Sequence, residues 1–220
     1  MQSLWQALLL SVTCPLCHSS PVNPFSEVHQ RSYFECGHCG LVHMRPADRP
    51  DPVAERKRYE THQNDPKDPG YRQFLARLAE PLTQRLIRGA EGLDYGSGPG
   101  PAMSVLLEDA GFPMTIYDPF FAKDGQALSR KYAFITCSET AEHFFQPDVE
   151  FDRLNGLLKP GGWLGVMTEM LDDQVFDQWR YVRDQTHVAF YRLQTMSWIA
   201  GRFSWFMESP VPNVILFRKS

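Results

Sequence analysis

Long apolar runs and an excess of either charge are both missing from this 220-residue sequence. The apolar run near the start, residues 7–10, is far shorter than the roughly 20 residues that a membrane-spanning helix needs. It also lacks the preceding basic residues and the small-residue cleavage site of a secretory signal peptide. The 22 Lys and Arg against 26 Asp and Glu residues give a net charge of −4, which provides no electrostatic reason for non-specific nucleic-acid binding. We therefore expect a cytoplasmic protein without a membrane partner; the sequence does not indicate its oligomeric state.

Cysteine is scarce as well, with five residues in the chain. The stretch CPLCH, residues 14–18, fits the attachment signature of a c-type haem and equally the first half of a zinc knuckle. No export signal supports the haem, and a second pair completes the four-cysteine zinc pattern C-x2-C-x18-C-x2-C. The predicted ligands are Cys14, Cys17, Cys36 and Cys39. We predict a structural zinc ribbon within residues 1–50, which include a short leader. Its four thiolates leave no coordination position for water.

The rest of the chain divides into two parts. Residues 51–70 are rich in proline and charge, which predicts a linker with a short helix over 53–62. From residue 71 onward strands and helices alternate, although Pro81 should bend or split the first helix. The strands are expected at 92–95, 114–117, 134–137, 163–168 and 213–217, and the helices at 101–110, 148–158 and 192–203. This alternation predicts a doubly wound α/β sheet over 71–220.

The stretch LDYGSGPG, residues 93–100, follows a predicted strand and opens a helix. Glycines at such a turn let a ligand approach the backbone, at the carboxyl edge where doubly wound sheets bind ligands. Asp118 ends the next strand, where an acid can accept hydrogen bonds from ribose hydroxyls. The glycine pattern alone also suits a nicotinamide-dependent enzyme.

The series LDYGSGPG, IYDP, ITCSETAEHF and LLKPGGWLGVMTEM resembles the motifs of class I S-adenosylmethionine-dependent methyltransferases. The resemblance covers residues 71–220 and implies a Rossmann-like methyltransferase sheet, S-adenosylmethionine as cofactor and methyl transfer as the reaction. It implies that Asp94, Gly96, Gly98 and Gly100 hold the methionine part, Asp118 the ribose, and Pro119 and Phe120 the adenine, with Ser138 and Glu139 near the sulfonium. About 19 positions separate Asp118 from Cys137, too few for a helix, strand and loop. We therefore predict that the third strand is shortened or absent.

Two clusters carry the candidates for chemistry, residues 139–143 and 184–191. The first, E-x-x-E-H, resembles the magnesium-binding segment of ubiquinone-pathway O-methyltransferases and of small-RNA 3′-end 2′-O-methyltransferases, which add a later histidine. That resemblance implies Mg²⁺ at Glu139, Glu142, His143 and His187. Alternatively, the first cluster orders its loop without a metal. His187 is separately a candidate general base beside Asp184 and Tyr191, or else a histidine bonded into its loop. Glu139 and His143 are the other catalytic candidates.

The acceptor is left open by the sequence. A four-cysteine ribbon before this domain is similar to bacterial deoxysugar C-methyltransferases and to a guanine-N1 ribosomal RNA methyltransferase group. The sugar enzymes carry a further C-terminal domain, which counts against a nucleotide-sugar acceptor here. Residues 1–50 are balanced in charge rather than basic, which counts against RNA. We slightly prefer a small-molecule or sugar-like acceptor. The alternatives are methylation of ribosomal or transfer RNA, and a non-catalytic zinc-ribbon binding protein on a vestigial methyltransferase scaffold.

Overall fold

The computed structural model describes residues 12–61, 64–172 and 174–220. The short leader and His62, the predicted end of the linker helix, lie outside these residues. In the described ranges, no helix has both the length and the apolar character that crossing a membrane requires.

The described residues form ten strands and five α-helices. The strands are β1 Asn23–Val28, β2 Arg31–Glu35, β3 Val42–Met44, β4 Gly92–Tyr95, β5 Met114–Tyr117, β6 Tyr132–Ser138, β7 Leu158–Met167, β8 Ala189–Phe190, β9 Phe206–Val211 and β10 Val214–Arg218. The helices are α1 Pro52–Tyr59, α2 Pro69–Thr83, α3 Ala102–Asp109, α4 Pro147–Leu157 and α5 Leu193–Phe203. The first two helices begin with a proline after a capping aspartate, an arrangement that suits a helix start.

The central sheet has six strands in the order β5-β4-β6-β7-β10-β9. The first four are parallel, whereas β10 runs antiparallel to both β7 and β9. One face packs on α2 and α3, and the other on α4 and α5. The predicted doubly wound α/β sheet is thereby confirmed. The chain leaves β4 first toward β5 and later returns to β6 on the other side, so the switch point lies at β4, where such sheets bind ligands.

The third strand is absent, as the short spacing predicted. Residues 118–131 contain only an isolated bridge between Asp118 and Ala122 and one short 3-10 turn. As a consequence β5 is the edge of the sheet.

Three predictions about elements were wrong. Pro81 neither splits nor stops α2 at once, because it lies in the last turn, and the helix ends two residues later at Thr83. Strand β7 begins at Leu158 rather than Trp163, since Leu158 already pairs with Tyr132 of β6, and the KPGG stretch is an irregularity before Trp163 pairs with Phe134. The edge strands β1 and β9 were missed. Both contain a proline and are largely exposed, so they lack the apolar alternation of a half-buried strand.

The ribbon forms a second sheet, in the order β1-β2-β3-β8. Its last strand comes from the C-terminal half of the chain. The ribbon side chains Leu16, Phe34 and Leu41 belong to the same buried cluster as Ile135 and Ile199 of the α/β layers. The ribbon and the α/β layers therefore share one continuous apolar core.

Candidate active site and thiolate cluster

A cavity of about 990 Å³ opens at the carboxyl ends of β4, β5, β6 and β7. All the predicted cofactor residues line it: Asp94, Gly96, Gly98, Gly100, Asp118, Pro119, Phe120, Ser138 and Glu139. The predicted catalytic residues His143 and His187 line the same cavity. Segments that are up to ninety residues apart in the sequence thus meet at the switch point of the sheet.

The glycine loop leaves no room for side chains at two positions. Gly96 has a φ of +80°, and a Cβ there would lie 2.2 Å from Thr140 Cγ2. A Cβ on Gly100 would lie 2.3 Å from the carbonyl oxygen of Asn64. The loop backbone is therefore packed closely between the loop after β6 and the segment that precedes α2.

Asp118 ties the end of β5 to the glycine loop. Its Oδ2 accepts a hydrogen bond from the Gly98 amide at 2.9 Å. Its Oδ1 accepts from the amides of Phe120 and Phe121 at 2.8 and 3.0 Å. The carboxylate is 7% exposed, and three amide donors hold it in one orientation at the cavity wall.

Asp94 lies deeper, at the end of β4. Its carboxylate accepts hydrogen bonds from Ser104 Oγ at 3.1 Å and from Thr136 Oγ1 at 3.0 Å. Burial raises the pKa of Asp94 to about 6, even though both hydroxyl donors act in the opposite direction. The group joins α3 to β6 beneath the glycine loop.

Glu139 follows β6 with a left-handed backbone, φ +48°, which is strained for a residue with a side chain. Its amide donates to the Met167 carbonyl at 2.8 Å, which fixes that backbone. Burial, together with the nearby carboxylates of Glu142 and Glu169, raises the pKa of Glu139 to about 9. The side chain is consequently neutral at pH 7 in the absence of a cationic ligand.

Glu142, His143 and His187 form a compact cluster, with one candidate ligand atom of each within 4.8 Å of the others. His143 Nδ1 lies 2.9 Å from the Thr186 carbonyl, and His187 Nδ1 lies 2.8 Å from the Tyr181 carbonyl. Because a carbonyl oxygen only accepts, each Nδ1 carries a proton, and in the neutral form of either ring its Nε2 is left as a lone-pair donor. Glu139 is outside this cluster, so three of the four predicted magnesium ligands are brought together.

The carboxylate of Glu142 is buried and partly satisfied. One oxygen accepts a hydrogen bond from the Tyr181 hydroxyl. The other, Oε2, has no hydrogen-bond partner among the described residues. A buried carboxylate oxygen without a donor is costly unless a cation or an added donor reaches it.

The surroundings of His187 differ from those expected. Asp184 does not bond its ring, because this carboxylate accepts from Arg58 and Thr186. Those bonds lower the pKa of Asp184 against the opposing effect of burial. Tyr191 is buried and donates to the Ala141 carbonyl. The ring of His187 instead contacts His143 and Tyr181, and burial lowers its pKa to about 3.

Two aromatic residues of the cavity lie outside the predicted cofactor and catalytic sets. Tyr59 lies in α1, within the predicted linker, and its ring contacts His143 and Phe120. Tyr181 lies outside both motif clusters. Neither position indicates a contact with the histidines in the sequence, since only the folded backbone brings these rings to them.

The four predicted zinc ligands meet in the ribbon. Cys14 Sγ lies 3.5 Å from Cys39 Sγ, and Cys17 Sγ lies 3.4 Å from Cys36 Sγ. All four sulfurs are within 4.8 Å of one another, and all are free thiols. With Zn–S bonds of about 2.3 Å, a tetrahedral site has sulfurs about 3.8 Å apart. The arrangement fits a four-thiolate metal site.

Residues 62–205 match the model of a protein family described as "Methyltransferase domain". The chain belongs to this methyltransferase family. The match spans the glycine loop, all four parallel strands and both candidate catalytic segments, whereas the ribbon strands β1, β2 and β3 lie before it. No curated protein matches the sequence.

Solved structures share the fold of this methyltransferase at low identity. The 1,6-didemethyltoxoflavin-N1-methyltransferase of Burkholderia thailandensis, with bound 1,6-didemethyltoxoflavin and S-adenosylhomocysteine, is 15% identical with a TM-score of 0.55, over 90% of this chain and 99% of that chain. The PH0226 protein of Pyrococcus horikoshii OT3 is 16% identical with a TM-score of 0.54, over 74% and 99%. Phosphoethanolamine N-methyltransferase 2 of Haemonchus contortus, in complex with S-adenosyl-L-methionine, is 15% identical with a TM-score of 0.51, over 71% of this chain and 42% of that chain. These likenesses show the fold alone.

Proposed function

We propose that this methyltransferase uses S-adenosylmethionine, bound in the cavity along the glycine loop, and that its ribbon holds a structural zinc ion. The observation that carries the proposal is the cavity itself. It gathers the predicted cofactor residues at the switch point of a methyltransferase-family sheet. Neighbours of the same fold were solved with S-adenosylmethionine or S-adenosylhomocysteine, which supports the same cofactor here.

The proposed reaction is a direct displacement. A nucleophilic atom of the acceptor attacks the methyl carbon, the carbon–sulfur bond breaks, and its electron pair stays on sulfur to give neutral S-adenosylhomocysteine. A base takes the acceptor's proton where one must leave. Where no metal occupies their Nε2 atoms, His143 and His187 are suited to that role, because the neutral form of each ring presents an Nε2 lone pair. Glu139, with its raised pKa, is suited to lie beside the sulfonium, whose positive charge would favour its ionised form.

The test of the cofactor is calorimetric titration of the protein with S-adenosylmethionine and S-adenosylhomocysteine. Asp118→Ala removes the acceptor of three amide hydrogen bonds and the proposed ribose contact, so we expect it to abolish binding. Asp124→Ala is the matched control, because Asp124 lies in the same loop, is exposed and does not line the cavity. Absence of binding by the wild-type protein would favour the non-catalytic alternative, in which the ribbon contacts a partner and the sheet is a scaffold.

A second metal is proposed at Glu142, His143 and His187, where Mg²⁺ was expected. The buried, unpartnered Glu142 Oε2 and the two imidazole Nε2 atoms favour it. Both histidines donate their other nitrogen to a backbone carbonyl, as metal-bound histidines commonly do. A bound cation would lower the pKa of an acceptor hydroxyl. Because Mg²⁺ prefers oxygen ligands, Mn²⁺ should bind more tightly to this nitrogen-containing set.

The metal is tested by titrating Mn²⁺ and Mg²⁺ into the zinc-loaded protein. His143→Ala should remove the binding, whereas His18→Ala should not, since His18 is exposed and pairs with Asp148. Equal Mn²⁺ binding by both variants would refute this site and leave the histidines as bases without a metal.

The charges around the cavity favour a small acceptor over RNA. The part of the cavity around His143 and His187 is its proposed acceptor side. Carboxylates line this side at Glu55, Glu139, Glu142, Glu169 and Asp184. Three of the four arginines that line the cavity are already engaged: Arg58 with Asp184, Arg153 with Glu150, and Arg180 with Glu169. A polyanion would need free cations at this position, so we keep a small-molecule or sugar-like acceptor as the first candidate.

A further inference from the structure

Main-chain hydrogen bonds connect the ribbon to the acceptor side of the cavity. Strand β3 pairs with β8, with Val42 opposite Phe190 and His43 opposite Ala189. One residue further, the Met44 amide donates to the Val188 carbonyl at 2.9 Å. The amide of Val188 in turn donates to the Glu142 carbonyl at 2.8 Å. Residue 188 is thus held between the ribbon and the loop that carries Glu142 and His143.

A ribbon side chain adds a second connection. Arg31 of β2 is 9% exposed, and its Nη2 donates to the Val182 carbonyl at 2.9 Å. Its Nη1 donates to the Asp184 carbonyl at 3.3 Å. These two carbonyls flank the end of the short turn 180–183, which presents Tyr181 to the cavity. The Tyr181 carbonyl is the acceptor that orients the ring of His187.

The thiolate cluster controls the geometry of both connections. Cys36 follows β2 directly, and Cys39 lies three residues before β3. The Cys36 amide donates to the Leu41 carbonyl at 2.9 Å, so the metal-binding turn is also the turn that joins the two strands. Whatever fixes the four sulfurs therefore fixes the register of β2 and β3, and with it the position of residues 182–190.

From these contacts we infer that the ribbon is part of the active site, with Arg31 as a positioning residue that sets the orientation of His187. A ribbon that only covered an apolar face would need apolar contacts alone. Here the nearly buried guanidinium of Arg31 donates hydrogen bonds to two carbonyls of one cavity segment, at Val182 and Asp184. The inference rests on the proposed function for the role of His187 as a base or metal ligand. The orientation of its ring can be measured without a known acceptor.

The test uses the zinc-loaded full chain with ¹⁵N-labelled histidine, in buffer free of added divalent metal. NMR distinguishes a protonated Nδ1 from a protonated Nε2, and a His187→Gln variant assigns the resonances. In the wild-type protein we expect His187 as the Nδ1–H form. In Arg31→Met we expect a mixture of the Nδ1–H and Nε2–H forms of His187 instead of the Nδ1–H form alone. Arg31→Lys keeps a cationic donor, so its share of the Nδ1–H form should lie between those of Arg31→Met and the wild type. Arg45→Met is the control, because Arg45 pairs with Asp48 inside the ribbon.

Calorimetry with S-adenosylmethionine accompanies each variant. The inference expects Arg31→Met to bind the cofactor as the wild type does, since the residues around Asp118 and Gly96 do not contact the ribbon arginine. An unchanged His187 signature in Arg31→Met would overturn it. So would loss of both the signature and cofactor binding, because the ribbon would then support the whole fold. If the wild type failed to bind the cofactor, the proposed function would fail, while the His187 signature would still decide the positioning role.

Discussion

Gly96→Ala tests the most crowded point of the proposed cofactor site. The left-handed backbone at this position costs a residue with a Cβ about 1–2 kcal/mol. The new Cβ would also lie 2.2 Å from Thr140 Cγ2 and 2.5 Å from Thr140 Oγ1. Thr140 cannot turn away freely, because its hydroxyl bonds the carbonyls of Gly96 and Ser138. Overpacking of this kind costs about 1–3 kcal/mol more, so we expect the free energy of unfolding to fall by about 2–5 kcal/mol.

Urea unfolding followed by tryptophan fluorescence measures this loss, and other glycines separate its two causes. Gly161 has a φ of +74° with no atom within 4 Å of a new Cβ, so Gly161→Ala should cost the backbone part only, about 1–2 kcal/mol. Gly156 lies in α4 with open space around it, and Gly156→Ala should stabilise by about 0.5–1 kcal/mol. Thr140→Ala removes the two nearest atoms but keeps the Thr140 Cβ, 2.9 Å from the new Cβ, so it should recover part of the additional cost of Gly96→Ala in a double mutant. The reasoning is refuted if Gly96→Ala costs no more than Gly161→Ala.

Two further predictions concern charge and metal. Glu139 binds its proton more tightly in the folded state, with a pKa of about 9 against about 4.3 in an unfolded chain. The free energy of unfolding should therefore fall as the pH rises between these values, and in Glu139→Gln the fall should be smaller; urea unfolding at a series of pH values measures it. Cys36→Ser should remove the zinc measured by elemental analysis and lower the melting temperature, because the ribbon shares its core with the α/β layers. Cys137→Ser is its control and should keep the metal, since Cys137 lies in β6, away from the four-sulfur cluster.

The parallel sheet was predictable from the sequence because its signals are local. Strands β4, β5 and β6 are short apolar runs that end at a glycine loop, at an aspartate and at a serine, and the chain spacing after Asp118 predicted a shortened or absent third strand. Where the signal was weak, the prediction failed. β1 and β9 are exposed edge strands, and β8 has two residues, whose pairing with β3 depends on the tertiary fold alone.

The two sides of the cavity were not equally predictable. Residues of the cofactor side stand within or next to motifs, and the structure brings all of them to one wall. The acceptor side is assembled from α1, the loop after β6 and the segment 180–190, through contacts such as Tyr59 with His143 and Tyr181 with Glu142. Such contacts leave no periodicity or spacing in the sequence. The sequence placed His187 beside Asp184, but it gave no sign that Arg58, from the predicted linker, pairs with that carboxylate.

The two sides of the cavity are held in place by different parts of the structure. The glycine loop is tied to the α/β layers by the hydrogen bond from its Gly98 amide to Asp118. The acceptor side is held from outside them, by α1 through the Arg58–Asp184 pair and by the ribbon through Arg31 and the pairing of β3 with β8. A change in the ribbon or in α1 can therefore reposition Tyr181 and His187 without disturbing the loop at Gly96. Under the proposed function, the acceptor side could therefore change while the glycine loop stays constant, with the ribbon as one of the two elements that position it.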